Sequence, residues 1–284
     1  MKFENNMLTL TDANIYIDDY NENSSTDFII ITRLTKKTLR LLTNESHPLI
    51  YMSQDLLTLL QRLTHEEFLK LNLNNIKVLP YTYKVEISKH VSITAFNNDD
   101  DLFGSIALLI EDNENKIGYV SKFNTIGIHK KRIKTWKKIF NTNSLNTLII
   151  GHKESSKNFL SKNGAIKNFE KDLLKKSNVT LNLTFFDPEQ LIRFDSIAKK
   201  NHYQILWPEK YLNLINYFKS LNFEDSITIE QNTPSIHIID EVQPSIDSAL
   251  SMLNDLEQNY HSCTEPEFKE ILNYINAKTN IIIS

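Results

Sequence analysis

The sequence predicts an α/β protein, with layered sheets and helices over its first half and a second α/β segment after them. Three observations predict it. Runs of β-branched and aromatic residues alternate with stretches of helical periodicity from Asn14 to Ile150. Two later helices open on proline, at Pro188 and Pro208. Only 5 glycines occur in 284 residues, so there is no G-x-G-x-x-G, no Walker A loop and no G-x-S-x-G elbow. The α/β families that depend on those loops are excluded.

Asn14–Asp18 and Phe28–Thr32 read as short strands, the second fully apolar before its terminal threonine. Ser53 stands before DLLTLLQRL, an amphipathic helix with a serine cap. Strands are expected at Ile76–Pro80, Lys84–Ile87, Val91–Phe96, Ser105–Glu111 and Lys116–Val120. The polar NENK turn makes the last two a hairpin. A basic segment leads to a strand at Thr147–Ile150, and Glu154–Lys176 is lysine-rich, either a linker or a surface helix. Then come a strand Val179–Phe186, a helix Glu189–Lys200 capped by Asp187, a strand Gln204–Trp207 and a helix Pro208–Leu221. Ser235–Ile239, helices around Asp247–Asn259 and Glu265–Asn276, and a strand Asn280–Ile283 complete the series.

Composition narrows the function. One cysteine, Cys263, permits neither an internal disulfide nor a C-x-x-C metal site, which fits a reducing, cytoplasmic setting. The N-terminus lacks the pattern of a secretory signal, and no apolar run approaches the roughly 20 residues that span a bilayer, so no membrane role is expected. A net charge of -3 gives no global attraction to nucleic acid. The eight histidines, His47, His65, His90, His129, His152, His202, His237 and His261, form no H-x-H or H-E-x-x-H. Asp99-Asp100-Asp101 suits either a hard-cation site or a solvated loop.

The order of these elements resembles the metallo-β-lactamase fold followed by a β-CASP domain, as in ribonuclease J-type RNA-processing nucleases. That family places H-x-H-x-D-H after an apolar strand ending in threonine. Here Thr32 is followed by Arg33, Thr35, Lys37 and Thr38 at the ligand positions. Pro48 to Ser53 and the leucine-rich helix after them match the family's next strand and helix. Asn97 takes the place of a further histidine, with Gly104 kept, and Val120-Ser121-Lys122-Phe123 replaces T-G-D-F, so that Lys122 stands where a metal-bridging aspartate belongs. His152 falls near the family's acidic residue after the next strand. Phe186, Arg193, Ala198 and Gln204 follow the β-CASP pattern.

The resemblance implies a metallo-β-lactamase-like domain over 1–155 and a β-CASP-like domain over 156–284, truncated at the C-terminus before the family's last histidines. It implies a pseudoenzyme with no metal or other cofactor. Such a protein would act by binding RNA or an active ribonuclease partner. An active divergent ribonuclease using a different site, another α/β hydrolase, and a scaffold taking an anionic ligand in the former active site are the alternatives. From Lys116 to Lys153 no acidic residue occurs, and Lys130, Lys131, Arg132, Lys134, Lys137 and Lys138 interleave with Trp136 and Phe140. Such a run either binds RNA, cations on phosphates and aromatics on bases, or is an amphipathic helix with solvated lysines. The two can coexist.

Overall fold

The structure is a computed structural model that describes residues 1–21, 26–113, 115–154, 162–175, 184–228, 233–237 and 245–283. Along the chain come β1 (Lys2–Glu4), β2 (Met7–Thr9), β3 (Asn14–Ile17), β4 (Phe28–Ile31), α1 (Lys36–Leu41), β5 (Ile50–Ser53), α2 (Gln54–His65) and β6 (Ile76–Leu79). Next are β7 (Lys84–Glu86), β8 (Val91–Asn97), β9 (Ile106–Asp112), β10 (Asn115–Val120), α3 (Lys130–Thr142) and β11 (Thr147–Gly151). The remainder holds α4 (Lys162–Leu174), α5 (Pro188–Lys200), β12 (Gln204–Leu206), α6 (Glu209–Leu221), β13 (Ser235–His237), α7 (Ile246–Gln258), α8 (Glu265–Ile275) and β14 (Thr279–Ile283).

Two compact units form. The first takes Met1–Leu60, Leu71–Phe159 and Leu253–Ser284, and the second Gln61–Lys70 and Leu160–Met252. The first contains two six-stranded sheets, ordered β1-β2-β3-β4-β5-β6 and β14-β11-β10-β9-β8-β7. In the first sheet β3 to β6 run parallel, with α1 in the crossover from β4 to β5 and α2 in that from β5 to β6. In the second, β7 to β10 are an antiparallel meander, while β10, β11 and β14 are parallel.

Alternation along the strands separates two cores. Ile15, Ile17, Phe28 and Ile30 of one sheet pack with Ile93, Ile106, Leu108, Ile110, Ile117 and Tyr119 of the other, so the sheets lie face to face. The intervening residues Leu109, Val120, Leu148 and Ile150 meet Ile133, Trp136 and Phe140 of α3 and Phe268, Ile271 and Ile275 of α8. Two of the scarce glycines sit where backbones nearly touch. A Cβ on Gly151 would lie 1.7 Å from the Ser121 carbonyl oxygen, and Gly104, at φ +79°, would place one 2.4 Å from Leu56 N. Ser53 caps α2 by accepting from Leu56 N and donates its hydroxyl to the Gly104 carbonyl.

In the second unit, β12 and β13 pair in parallel. Phe68 packs against Phe185 and Tyr211, and Phe169 against Phe194. Asp187 caps α5 with Pro188 in its first turn. Lys162 forms an ion pair with Asp187.

The expected boundary at 155/156 needs correction. Residues 253–284 belong to the first unit, because β14 pairs with β11 and α8 packs on α3. The expected ending on a β-CASP-like strand is therefore replaced by a return to the first domain's sheet. Gln61–Lys70 goes to the second unit. Most of the expected strand Val179–Phe186 lies outside the described residues, as do the last two residues of Ser235–Ile239. Thr184–Phe186 is irregular chain and turn, and within the lysine-rich stretch Lys162–Leu174 forms α4, with Phe169 and Leu173 buried, while 155–161 and 176 lie outside the described residues. Among the described residues no helix is long and apolar enough to cross a membrane.

Candidate functional site

In both sheets of the first unit the carboxyl ends of strands meet at one edge of the sandwich, the place where α/β folds gather their sites. Asp18 follows β3, Thr32 and Arg33 follow β4, Asn97 closes β8, Lys122 follows β10 and His152 follows β11. The two sheets are tied there by Ile106 N donating to the Thr32 carbonyl (2.9 Å), and within the second sheet Asn98 Nδ2 donates to the Lys122 carbonyl (2.6 Å).

Asp18 and Arg33 are buried. Asp18 Oδ1 accepts from Thr32 N (2.6 Å) and Arg33 N (3.1 Å), and its Oδ2 accepts from the Thr32 hydroxyl. Burial pushes its pKa up in spite of these donors. Arg33 Nε donates to Asp100 Oδ2 at 2.5 Å, with the two side chains 3% and 0% exposed. Burial opposes the Arg33 charge, but Asp100, with Asp18 and Glu257 beyond it, holds its pKa above the ordinary value. Asp100 Oδ1 accepts from Leu102 N. Lys122 Nζ lies 4.8 Å from the centre of the Tyr260 ring. Its pKa is brought down to about 8, first by burial and then by the Arg33 charge. The Tyr260 hydroxyl brackets Phe123, donating to its carbonyl and accepting from its N–H, both at 2.7 Å.

Of the other positions singled out in the sequence, Thr35 and Thr38 form the reciprocal cap of α1. Lys37 pairs with Asp19 at 2.6 Å and is 67% exposed, a weak surface contact. Asn97 is half-buried in β8, and the neighbouring Asn98 carries the polar contacts of this loop. The three aspartates are neither a cation site nor a solvated loop. Asp99 Oδ2 accepts from His129 N (2.6 Å) at the start of α3, Asp100 holds Arg33, and Asp101 Oδ2 accepts from Asn124 Nδ2.

A zinc pair needs several neutral imidazoles and at least one carboxylate with free oxygens. Arg33 is always protonated and has no lone pair to give. The oxygens of Asp18 and Asp100 already accept hydrogen bonds from backbone, hydroxyl or guanidinium. These residues do not fit a zinc pair. Among the described residues no group of three or more His, Cys, Asp or Glu could hold a metal ion.

Ser262, His152 and Glu265 form a hydroxyl–imidazole–carboxylate chain, at 2.7 and 3.2 Å, with the imidazole stacked 3.9 Å from Phe268. Such a row matches an acyl-transfer triad in order only. Ser262 is fully buried, and its hydroxyl also donates to the Lys153 carbonyl. With no room for a substrate at Ser262 Oγ, the row clasps the end of β11 to the start of α8. Cys263 is buried, which raises its thiol pKa to about 11 and leaves it unreactive.

No protein-family model matches the chain, and no curated protein matches it in sequence. A crystal structure of a protein of unknown function from Enterococcus faecalis aligns with TM-score 0.60 and 13% identity, over 96% of this chain and 80% of that one. The two proteins share a fold. Zinc-bound PqqB from Methylobacterium extorquens overlaps 51% of this chain and 59% of its own, at 9% identity and TM-score 0.37. A variant of the β-hydroxylase CmlA overlaps 53% of this chain and 34% of its own, at 13% identity and the same score. Overlaps this partial decide neither family nor activity.

Asp18, Tyr260 and Glu257 were absent from the residues singled out as functional, and Asp100 was read only within a cation site or a solvated loop. Asp18 had a signal, as a carboxylate directly after a β-rich run. Tyr260 and Glu257 had none, because only tertiary structure brings the α7–α8 segment to this edge.

Proposed function

We propose that this chain is a non-catalytic member of the metallo-β-lactamase group that acts by binding single-stranded RNA. The observation that carries the non-catalytic part is the buried Arg33–Asp100 pair, which fills the edge where the resemblance puts metal ligands. The sandwich of two sheets with helices outside supports the family reading. The ribonuclease J resemblance supplies RNA as the ligand class.

The contact surface is α3. Ile133, Trp136 and Phe140 are buried, and Lys130, Lys131, Lys134 and Lys138 are exposed on the outer side. None of these four lysines pairs with an acid among the described residues. Lys130, Lys131 and Arg132 occupy the first turn, where no acidic residue stands. Cations are unfavourable at a helix N-terminus, by about 0.3–1 kcal/mol each at an exposed site. Asp99 at the start of the helix offsets part of this. The lysines are therefore poorly explained by stability, whereas a phosphate chain would be attracted to the cations.

Single-stranded RNA should bind with affinity that falls steeply as salt rises, with a slope of roughly -0.7 per phosphate neutralised. Changing Lys130, Lys131, Lys134 and Lys138 together to Ser should flatten that slope and leave thermal stability nearly unchanged. Fluorescence anisotropy across a salt series, with circular dichroism as the control for folding, checks this. Equal binding by the wild type and the variant would reject RNA and favour an active ribonuclease as the partner.

A further inference from the structure

We propose that the Arg33–Lys122 edge is a binding site for a small oxyanion, held between the Arg33 guanidinium and the Lys122 ammonium. The inference rests on the reading that this edge holds no metal. It names a ligand for the edge itself, distinct from RNA on α3.

The argument begins with unused donors. A guanidinium carries five N–H donors in a planar fork that matches a carboxylate or a phosphate. Arg33 uses Nε on Asp100, and its side chain makes no other hydrogen bond among the described residues. The Lys122 ammonium has neither a hydrogen bond nor an ion pair among them, and its one close partner is the Tyr260 ring face. Both groups are held in place before any ligand arrives. Arg33 is fixed by Asp100 through Nε and by Asp18 through its backbone N–H. The Lys122 backbone is held by Asn98 at its carbonyl and by Tyr260 at the next residue, and its ammonium rests on the Tyr260 ring face. Fixed donors lose little freedom on binding.

The charge arrangement points the same way. A half-buried ammonium beside an arginine, without a direct acid partner, costs the fold stability at neutral pH. Its depressed pKa means that stability from this group rises as pH climbs from about 8 toward the ordinary lysine range. An anion between the two cations removes that cost. The charged groups that act on Lys122 are Arg33 after β4, Asp100 after β8, Lys153 after β11 and Glu257 on α7. Asp100 is committed to Arg33. Glu257 acts on both cations with no hydrogen bond or ion pair to either, so it opposes an incoming anion.

Calorimetric titration of the full chain at neutral pH with inorganic phosphate, and separately with acetate, tests the site. The account expects one ion bound per chain, and the better-bound probe identifies phosphate or carboxylate as the natural group. Lys122→Gln should weaken binding by about tenfold or more, the worth of a charge-assisted hydrogen bond. Glu257→Gln should tighten it, which a purely structural role would not produce. The α3 serine variant should bind as the wild type does, so failure of the RNA reading leaves this result standing. If Lys122→Gln does not fold, wild-type Lys122 can be acylated and followed by peptide mass spectrometry, with the bound anion expected to slow the reaction. No binding of either probe up to about 10 mM, which is weaker than about -3 kcal/mol, would overturn the proposal. So would equal affinity in Lys122→Gln, or acylation indifferent to the anion.

Discussion

Replacing Arg33 with alanine will lower the unfolding free energy by about 3–5 kcal/mol, because it leaves Asp100 as an unpaired buried charge. The two side chains are 3% and 0% exposed, so water is a poor substitute for the lost partner. Asp100→Ala will cost about as much and will also leave Leu102 N without its acceptor. The double change Arg33→Leu with Asp100→Leu will lose far less than the sum, since a buried ion pair is often worth no more than an apolar one. Urea denaturation of the three variants measures these losses. Single-variant losses of no more than about 1 kcal/mol would mean the pair behaves as a screened surface contact.

Trp136→Ala will cost a comparable amount, about 3–5 kcal/mol. The ring is fully buried, meets Phe123 at 5.8 Å and Phe140 at 5.4 Å, and anchors α3 on the second sheet. Its Nε1 also donates to Asn98 Oδ1 at 3.2 Å, and Asn98 in turn holds the Lys122 carbonyl. Trp136→Phe keeps most of the packing and leaves Asn98 Oδ1 without a donor, so about 1–3 kcal/mol is expected. The same denaturation experiment distinguishes the two variants. A loss for Trp136→Phe as large as for Trp136→Ala would place the whole contribution in the hydrogen bond and contradict the packing assigned to the ring.

The local pattern made most elements of the first unit legible. Apolar runs such as FIII at Phe28–Ile31 and TLII at Thr147–Ile150 declare buried strands, and the NENK turn declares a hairpin. Ser53, Asp187 and the 133/136/140 face of α3 likewise hold the positions their chemistry implies. Partners distant in sequence were not legible. Nothing local to Thr279–Ile283 says that it pairs with Thr147–Gly151, so the return of the chain to the first unit was missed. The site divides in the same way. Arg33 and Lys122 were legible as cations in unexpected places. Asp100 was not, because three adjacent aspartates look solvated until the fold buries two of them and gives each a different donor.

Metal content tests the central claim most directly. Protein purified without chelator, loaded with excess zinc or manganese and then dialysed, can be analysed for bound metal with thermal unfolding measured in parallel. The Arg33–Asp100 pair predicts far less than one ion per chain and no rise in melting temperature, since a ligand that binds only the folded state must stabilise it. About two ions retained per chain, with a metal-dependent rise in melting temperature that Arg33→Leu alters, would contradict the account.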